Sequence, residues 1–446
     1  MRTLQTFCIR TYGCQMNELD SEVMKGMLER RGLTRTDDET TADLLIFNTC
    51  SVRDLAERKA LGKVGRLSRS RKDRPVIGIT GCMASAKKET LLEKLPHIDF
   101  VIGTNNIHSL NEVLDEVLSS GSRITRVDPL FSTELDYTAA QRDDPIKACV
   151  SIIRGCNKHC TYCIVPYTRG PEVSREPDAI VDECRQLVDK GYREITLLGQ
   201  NVNSYGKDRQ EWGTLFHDLL YRLDRIPNLS RIRFLTSHPV DISKDLMEAI
   251  RDLPSICEFV HFPLQAGSNR ILHKMHRSYT REEYEDKVAS LREIVPQVAL
   301  GTDIIVGFPT ETDDEFEETL QAMKRIRFST AFLFSYSPRK GTPASRWKDD
   351  VSEEVKEQRL QKLIEEQETI SYNEMQMLLH QTVEVLVEGV SIKDKAMVKG
   401  RTRTWKNVVF PGRLEQIGTV VSVKLHSFTN QTYVGEQVKQ DAFLIQ

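Results

Sequence analysis

The first hundred residues alternate between short apolar runs and amphipathic stretches. Thr6 to Tyr12 reads as a strand, and Asp20 to Arg31 as an amphipathic helix that stops before Gly32. Asp43 to Asn48 (DLLIFN) and Pro75 to Thr80 (PVIGIT) are unbroken apolar runs of strand length, and Phe100 to Gly103 adds a shorter one before a helix over Ser109–Leu118. Strands separated by helical stretches predict a parallel α/β sheet over residues 1–120. A polar connector over 121–145 follows, and a second βα series fills 146–350. Its strands are expected at Ala148–Ile153, Glu194–Leu198, Ile232–Thr236, Phe259–Pro263, Ala299–Val306 and Thr330–Tyr336, with helices such as Pro177–Lys190 and Asp313–Ile326 between them. Six such units in about 190 residues predict an open, partial (β/α)6 barrel, because the eight-unit form takes about 250. Residues 351–379 form one charged helix, read as a solvated structural element. Short strands at Thr382–Glu388, Ala396–Arg401, Asn407–Phe410 and Gly418–Phe428, punctuated by glycines, predict a small antiparallel β-barrel over 380–446. The fold class is therefore α/β and multidomain.

Composition narrows the function. The 446 residues exceed one ordinary core, and 39% hydrophobic with 28% charged residues excludes a wholly disordered chain. No apolar run approaches the roughly 20 residues of a membrane span. Met1 to Arg10 lack the apolar region of a secretory signal, so a cytoplasmic protein is expected. The net charge of −3, from 62 basic and 65 acidic side chains, means that nucleic-acid binding needs local basic patches. Ten cysteines in a chain without an export signal point to metal or catalysis before disulfides.

Three of these cysteines crowd into Cys156-Asn157-Lys158-His159-Cys160-Thr161-Tyr162-Cys163, directly after a predicted strand. Three thiolates so close in one loop can hold three corners of a 4Fe–4S cube and leave the fourth iron open to a small molecule. A structural zinc site is the alternative, but it wants four closed ligands, and His159 sits awkwardly inside the three-residue gap. A second set is dispersed: Cys14, Cys50 and Cys82 each follow a different predicted strand. Parallel neighbouring strands would bring the three thiols to one sheet edge, where α/β folds place ligands. Buried apolar cysteines are the alternative there, but the same topological address repeated three times favours a second three-cysteine cluster. Cys8, Cys149, Cys184 and Cys257 fall inside strand or helix signals and read as core.

The CxxxCxxC string, with Tyr162 before its last cysteine and a partial barrel after it, resembles the radical S-adenosylmethionine superfamily. The resemblance implies that S-adenosylmethionine chelates the open iron beside Cys156, Cys160 and Cys163. One electron then cleaves its sulfonium to a 5′-deoxyadenosyl radical, with Tyr162 near the adenine. Further cofactor contacts are expected at the barrel's C-terminal rim, from Gln200, Asn201, Ser237, Gln265 and Asp303. The strings around Cys14 (TYGCQMN), Cys50 (NTCSVR) and Cys82 (TGCMA) resemble the methylthiotransferases within that superfamily. In them such cysteines hold the auxiliary cluster that delivers sulfur, and the C-terminal barrel looks like their RNA-binding TRAM domain.

Val165-Pro166-Tyr167-Thr168-Arg169-Gly170, Gly400-Arg401-Thr402-Arg403-Thr404 and Asn407-Val408-Val409-Phe410-Pro411-Gly412 are similar to the MiaB-type branch. That branch methylthiolates carbon 2 of an isopentenyl-adenosine beside the tRNA anticodon. Pro171-Glu172-Val173-Ser174-Arg175 departs from its usual arginine-rich run, and the threonylcarbamoyl-adenosine branch can carry Gly-Pro there. An RNA partner agrees with local charge. Ser391 to Arg413 holds seven basic residues against one acid, which makes Arg401, Arg403, Trp405 and Lys406 candidate RNA contacts. A solvated barrel face with core aromatics is the alternative. Arg53 to Arg74 is a second basic stretch. A reductase or flavodoxin-type electron donor, and a sulfur donor or cluster-repair protein, are further partners implied by the resemblance. Methylthiolation of a ribosomal-protein aspartate, and a non-catalytic iron–sulfur carrier or RNA-binding sensor, are the rival functions.

Overall fold

Two apolar layers enclose a six-stranded parallel sheet at the N-terminus of the computed structural model, which describes residues 3–51, 62, 74–128 and 135–438. The basic stretch Arg53–Arg74 therefore lies outside the described residues apart from Gly62 and Arg74. The strands are β1 (Thr6–Tyr12), β2 (Thr34–Arg35), β3 (Leu44–Thr49), β4 (Val76–Gly81), β5 (Phe100–Ile102) and β6 (Ile124–Arg126), in the order β2-β1-β3-β4-β5-β6. Every residue of β3 and β4 is buried. Leu44, Ile46 and Phe100 pack on one face, and Leu45, Phe47 and Ile79 on the other. Burial on both faces is why these strands read as unbroken apolar runs.

Two expectations shift here. The polar stretch read as a connector supplies β6, whose three residues are too few to show a period. Helix Gln15–Arg30 begins five residues before the expected start at Asp20. Its first turns bury Asn17 and Ser21 against the sheet and Asp20 against the second domain, and polar residues on a buried face hide the amphipathic signal.

The second domain contains β7 (Lys147–Ser151), β8 (Ile153–Arg154), β9 (Val173–Ser174), β10 (Glu194–Leu198), β11 (Arg231–Leu235), β12 (Phe259–His261), β13 (Ala299–Val306) and β14 (Thr330–Ser335). Its six barrel strands form two parallel sheets, β11-β10-β7 and β12-β13-β14, linked by a bridge between Ile232 and Ile256. The run read as one strand over Ala148–Ile153 breaks at Ile152, and β8 turns away to pair antiparallel with β9. Helix Glu353–Leu378 is not only a solvated element: Leu363 and Ile370 enter the barrel core, and Arg359 pairs with the buried Glu311 at 2.8 Å.

The C-terminal strands β15 (Thr382–Val390), β16 (Met397–Thr402), β17 (Asn407–Pro411), β18 (Val420–Thr429) and β19 (Thr432–Gln437) close in the order β15-β16-β17-β19-β18. All pairs are antiparallel except β17 with β19, which is parallel. This barrel docks on the N-terminal ends of the β7–β12 strands through Lys147 to Glu388 at 2.9 Å and Arg231 to Glu384 at 2.8 Å. Among the described residues no helix is long and apolar enough to cross a membrane.

Candidate functional site

The cysteine loop of the second domain starts where β8 ends. Gly155 has φ +77, and a Cβ there would lie 1.8 Å from the Pro171 carbonyl oxygen, so only glycine can open the loop. Its N–H donates to Gln200 Oε1 at 2.6 Å. Cys156 N–H donates to the Gly170 carbonyl at 3.1 Å, and Thr161 N–H to that of Met275 at 3.1 Å. Cys156 and Cys160 are buried, and Cys163 is partly so. Two sulfurs already accept N–H groups: Cys156 Sγ from the Lys158 backbone and Cys160 Sγ from Arg277 Nη1, both at 3.4 Å. Burial pushes the Cys156 and Cys163 thiols up to about 12, so metal ligation here releases protons. His159 is exposed, and its carbonyl accepts from His276 Nδ1 at 3.0 Å.

The strand ends around this loop are polar and incompletely satisfied. Tyr162 stands edge-on to Phe308 at 6.5 Å, and Phe308 contacts Tyr336 and Trp347 behind it. Asn201 Nδ2 donates to Asp241 at 2.8 Å, while its buried Oδ1 and the buried Ser237 Oγ have no partner. Gln265 takes a left-handed turn and joins Asp303 through its backbone N–H at 2.9 Å. Asp303 lies 3.3 Å from His261 Nε2, and neither buried His261 nitrogen has a well-formed hydrogen bond. Buried polar atoms left this way are hydrogen-bonding capacity that water or a polar ligand can take up.

Lys158, Lys207 and Asn201 converge on Asp241. Burial would raise its pKa, but these donors hold it down to about 2. Burial, with Arg277 and Lys158 nearby, pushes His238 down to about 2, so it stays neutral. Arg277, Asp241 and His261 escaped the sequence reading. Arg277 reaches Cys160 across a separation of 117 residues, and no local pattern signals that.

The dispersed cysteines follow three adjacent strands in register. Tyr12 pairs with Thr49, and Thr49 with Gly81, so Cys14, Cys50 and Cys82 leave the sheet at one edge. Side chains tie these ends together: Asn17 Nδ2 donates to Asn48 Oδ1 at 2.9 Å, Asn48 Nδ2 to the Asn17 carbonyl at 2.7 Å, and Thr49 Oγ1 to the Thr80 carbonyl at 2.7 Å. Gly81 has φ +91, and a Cβ would sit 2.4 Å from both Asn48 Oδ1 and the Thr49 carbonyl oxygen. Cys50 and Cys82 are buried, and Cys14 is exposed. The protein packed around the Cys14 thiol pushes its pKa up; Arg169 opposes the shift and Cys82 adds to it.

None of the ten cysteines is in a disulfide. Among the described residues no three His, Cys, Asp or Glu side chains close on one point as a single metal ion requires. A cube binds its three thiolates through separate irons, which sets them wider than the ligands of one ion. Cysteines grouped in threes outside any disulfide, with N–H donors already on the Cys156 and Cys160 sulfurs, fit the cluster better than zinc.

The four basic-barrel residues are engaged inside the molecule. Arg403 pairs with Glu258 at 2.7 Å and donates to the Pro254 carbonyl at 2.8 Å. The Trp405 ring lies under Arg233 at 4.6 Å and Arg401 at 5.3 Å, and against Phe259 at 5.2 Å. Lys406 Nζ donates to the Ser329 carbonyl at 3.4 Å, and burial lowers its pKa. These contacts join the two barrels, and Phe410 is core. Partners such as Arg233, distant in sequence, hid this from the charge count. Lys393, Lys395, Lys399 and Arg413 remain exposed.

Residues 6–103 match the family described as Uncharacterized protein family UPF0004, residues 150–323 the Radical SAM superfamily, and residues 378–438 the TRAM domain. Among curated proteins, the tRNA-2-methylthio-N(6)-dimethylallyladenosine synthase of Protochlamydia amoebophila (strain UWE25) is 67% identical, covering 98% of this chain and 97% of its own length. The protein of the same name from Clostridium botulinum (strain Loch Maree / Type A3) is 46% identical over 97% of each. The solved radical S-adenosylmethionine methyltransferase TsrM from Kitasatospora setae aligns with a TM-score of 0.56 at 14% identity, covering 77% of each chain. The cobalamin-dependent radical enzyme OxsB aligns at 0.52 and 13%, covering 83% of this chain and 56% of its own. At such identities the likeness is one of fold.

Proposed function

The chain belongs to the radical S-adenosylmethionine methylthiotransferases, in the branch whose members are named tRNA-2-methylthio-N(6)-dimethylallyladenosine synthase, and from that premise we propose that it methylthiolates carbon 2 of isopentenyl-adenosine beside the anticodon. It is a sulfur-transferring enzyme, its substrate is tRNA, and its cofactors are S-adenosylmethionine and 4Fe–4S clusters. Bound at its two sites, these groups would supply radical formation at one and sulfur at the other.

Cys156, Cys160 and Cys163 hold the first cluster, and Cys14, Cys50 and Cys82 the second. Gln200 fixes the loop's entry through Gly155. Asn201 and Ser237 offer their unpartnered oxygens to S-adenosylmethionine, with Gln265 and Asp303 opposite. Tyr162 and Phe308 form an apolar wall that keeps water from the reacting atoms. Arg403, Trp405 and Lys406 orient the C-terminal barrel, and the exposed Lys393, Lys395, Lys399 and Arg413 meet RNA phosphates. Arg401 belongs to both groups. A reductase or flavodoxin-type protein supplies the electron, a sulfur donor or cluster-repair protein renews the second site, and the setting is cytoplasmic.

The observation that carries this reading is the pair of three-cysteine sets, one at the sheet edge and one on the barrel loop. Mass spectrometry of tRNA nucleosides from cells lacking the gene tests it. Isopentenyl-adenosine accumulating without its methylthio derivative, and restored by the gene, is expected. Unchanged nucleosides, or loss of the threonylcarbamoyl counterpart instead, would overturn the substrate assignment.

A further inference from the structure

Between the two cysteine sets lies one buried carboxylate. Asp20, 1% exposed along its side chain, accepts from Arg154 Nη2 at 3.2 Å through one oxygen and from Arg169 Nη2 at 3.0 Å through the other. Both arginine side chains are 2% exposed. Arg154 stands two positions before Cys156 and also donates to the Tyr137 hydroxyl at 2.9 Å and the Thr104 carbonyl at 3.2 Å. Arg169 ends helix Val165–Arg169, which packs on helix Cys82–Lys87. Its Nη1 is buried with no well-formed hydrogen bond among the described residues, and its guanidinium lies near the Cys82 and Cys14 thiols as well as Asp20.

Arg169 shares the Asp20 carboxylate with Arg154, so its buried guanidinium draws only part of a countercharge from it. Such a charge is costly unless an anion balances it. The Arg169 Nη1 without a well-formed bond, beside the thiols of Cys82 and Cys14, faces the place where an anion would complete it. A cube held by three thiolates carries net negative charge and exposes sulfur to donors, and hydrogen bonds to sulfur tune its potential.

We infer that Arg169 is a positioning residue of the N-terminal site, donating its Nη1 N–H to cluster sulfur, and that Asp20 links it to Arg154 so that one carboxylate ties both cysteine sites together. The inference rests on Cys14, Cys50 and Cys82 holding a cluster. A mere domain joint would use the same ion pairs, so the test must separate charge from glue.

The full-length chain with Cys156, Cys160 and Cys163 changed to alanine isolates the N-terminal cluster for redox titration followed by electron paramagnetic resonance. Arg169→Gln should shift its potential negative, because the reduced cluster loses a nearby positive charge, and Arg169→Lys should recover most of the shift. Asp20→Asn should shift it positive, and Arg154→Gln should move it less than Arg169→Gln. Loss of a joint would not give opposite signs from the two halves of one ion pair. Shifts of the same sign, or no shift in a cluster-bearing Arg169→Gln protein, would overturn the inference and leave the ligand assignment standing. A parent without any cluster would remove the ligand assignment itself. Where a variant fails to fold, hyperfine spectroscopy of the unsubstituted chain labelled with nitrogen-15 arginine decides. Coupling of the N-terminal cluster to an arginine side chain is expected, and its absence contradicts the contact.

Discussion

The barrel's three cysteines lie on one loop, whereas those of the N-terminal sheet lie far apart in sequence and meet only because β1, β3 and β4 are parallel neighbours in register. The loop site is shaped by a glycine turn and then pinned from a distance by Met275 and Arg277. The sheet site is shaped by the register itself, and the Asn17–Asn48 bonds lock the strand ends. Each has a glycine that admits no Cβ directly before a cysteine, and each has a buried arginine facing sulfur. Similar donor sets thus arise from local spacing in one domain and from topology in the other, and the two should fail separately.

The strongest way to break that comparison is to remove one set. With Cys156, Cys160 and Cys163 changed to alanine, reductive cleavage of S-adenosylmethionine should fall to background. Iron should fall from about eight to about four per chain. Iron falling to zero would show that the sites are not independent. Next in size come the two glycines. Gly81→Ala should empty the sheet site and Gly155→Ala the loop site, each costing at least about 2 kcal/mol from strain and overlap. Thermal melts and site-resolved spectra would check this, and loss of the opposite cluster would contradict it.

Spacing displayed the loop site because all three cysteines fall within two turns of chain. Alternation of apolar runs displayed β3 and β4 because both their faces are buried. What escaped lay across domains. The buried face of helix Gln15–Arg30 mixes Asn17, Asp20 and Ser21 with apolar residues, so Asp20 read as a helix start and not as a hub. Arg403 and Trp405, read as RNA contacts, also engage Glu258, Arg233 and Phe259 of another domain, which the local sequence does not show. A local charge count cannot tell a cation facing solvent from one facing a carboxylate.

Smaller effects sharpen the comparison. Arg277→Gln removes the N–H on Cys160, worth about 1.5–3 kcal/mol if that sulfur is charged, and should slow cleavage about tenfold or more. It should leave the N-terminal cluster's spectrum unchanged; a change there would mean that the sites share Arg277. Smallest of all, Cys184→Ala and Cys257→Ala should cost about 1 kcal/mol of stability and no iron, since both are fully enclosed core residues. Iron loss in either would enlarge the ligand set.

Separable roles for the two sites are tested most directly by the converse triple variant, Cys14, Cys50 and Cys82 to alanine, given isopentenylated tRNA and a reductant. The loop site is intact in it, so 5′-deoxyadenosine should still form on reduction. Without the sheet site there is no sulfur to capture, so chromatography of the nucleosides should show no methylthiolated adenosine. Cleavage without product is the expected result. Methylthiolated tRNA formed by this variant in a single turnover would contradict it, and would remove Cys14, Cys50 and Cys82 from the sulfur-delivering role.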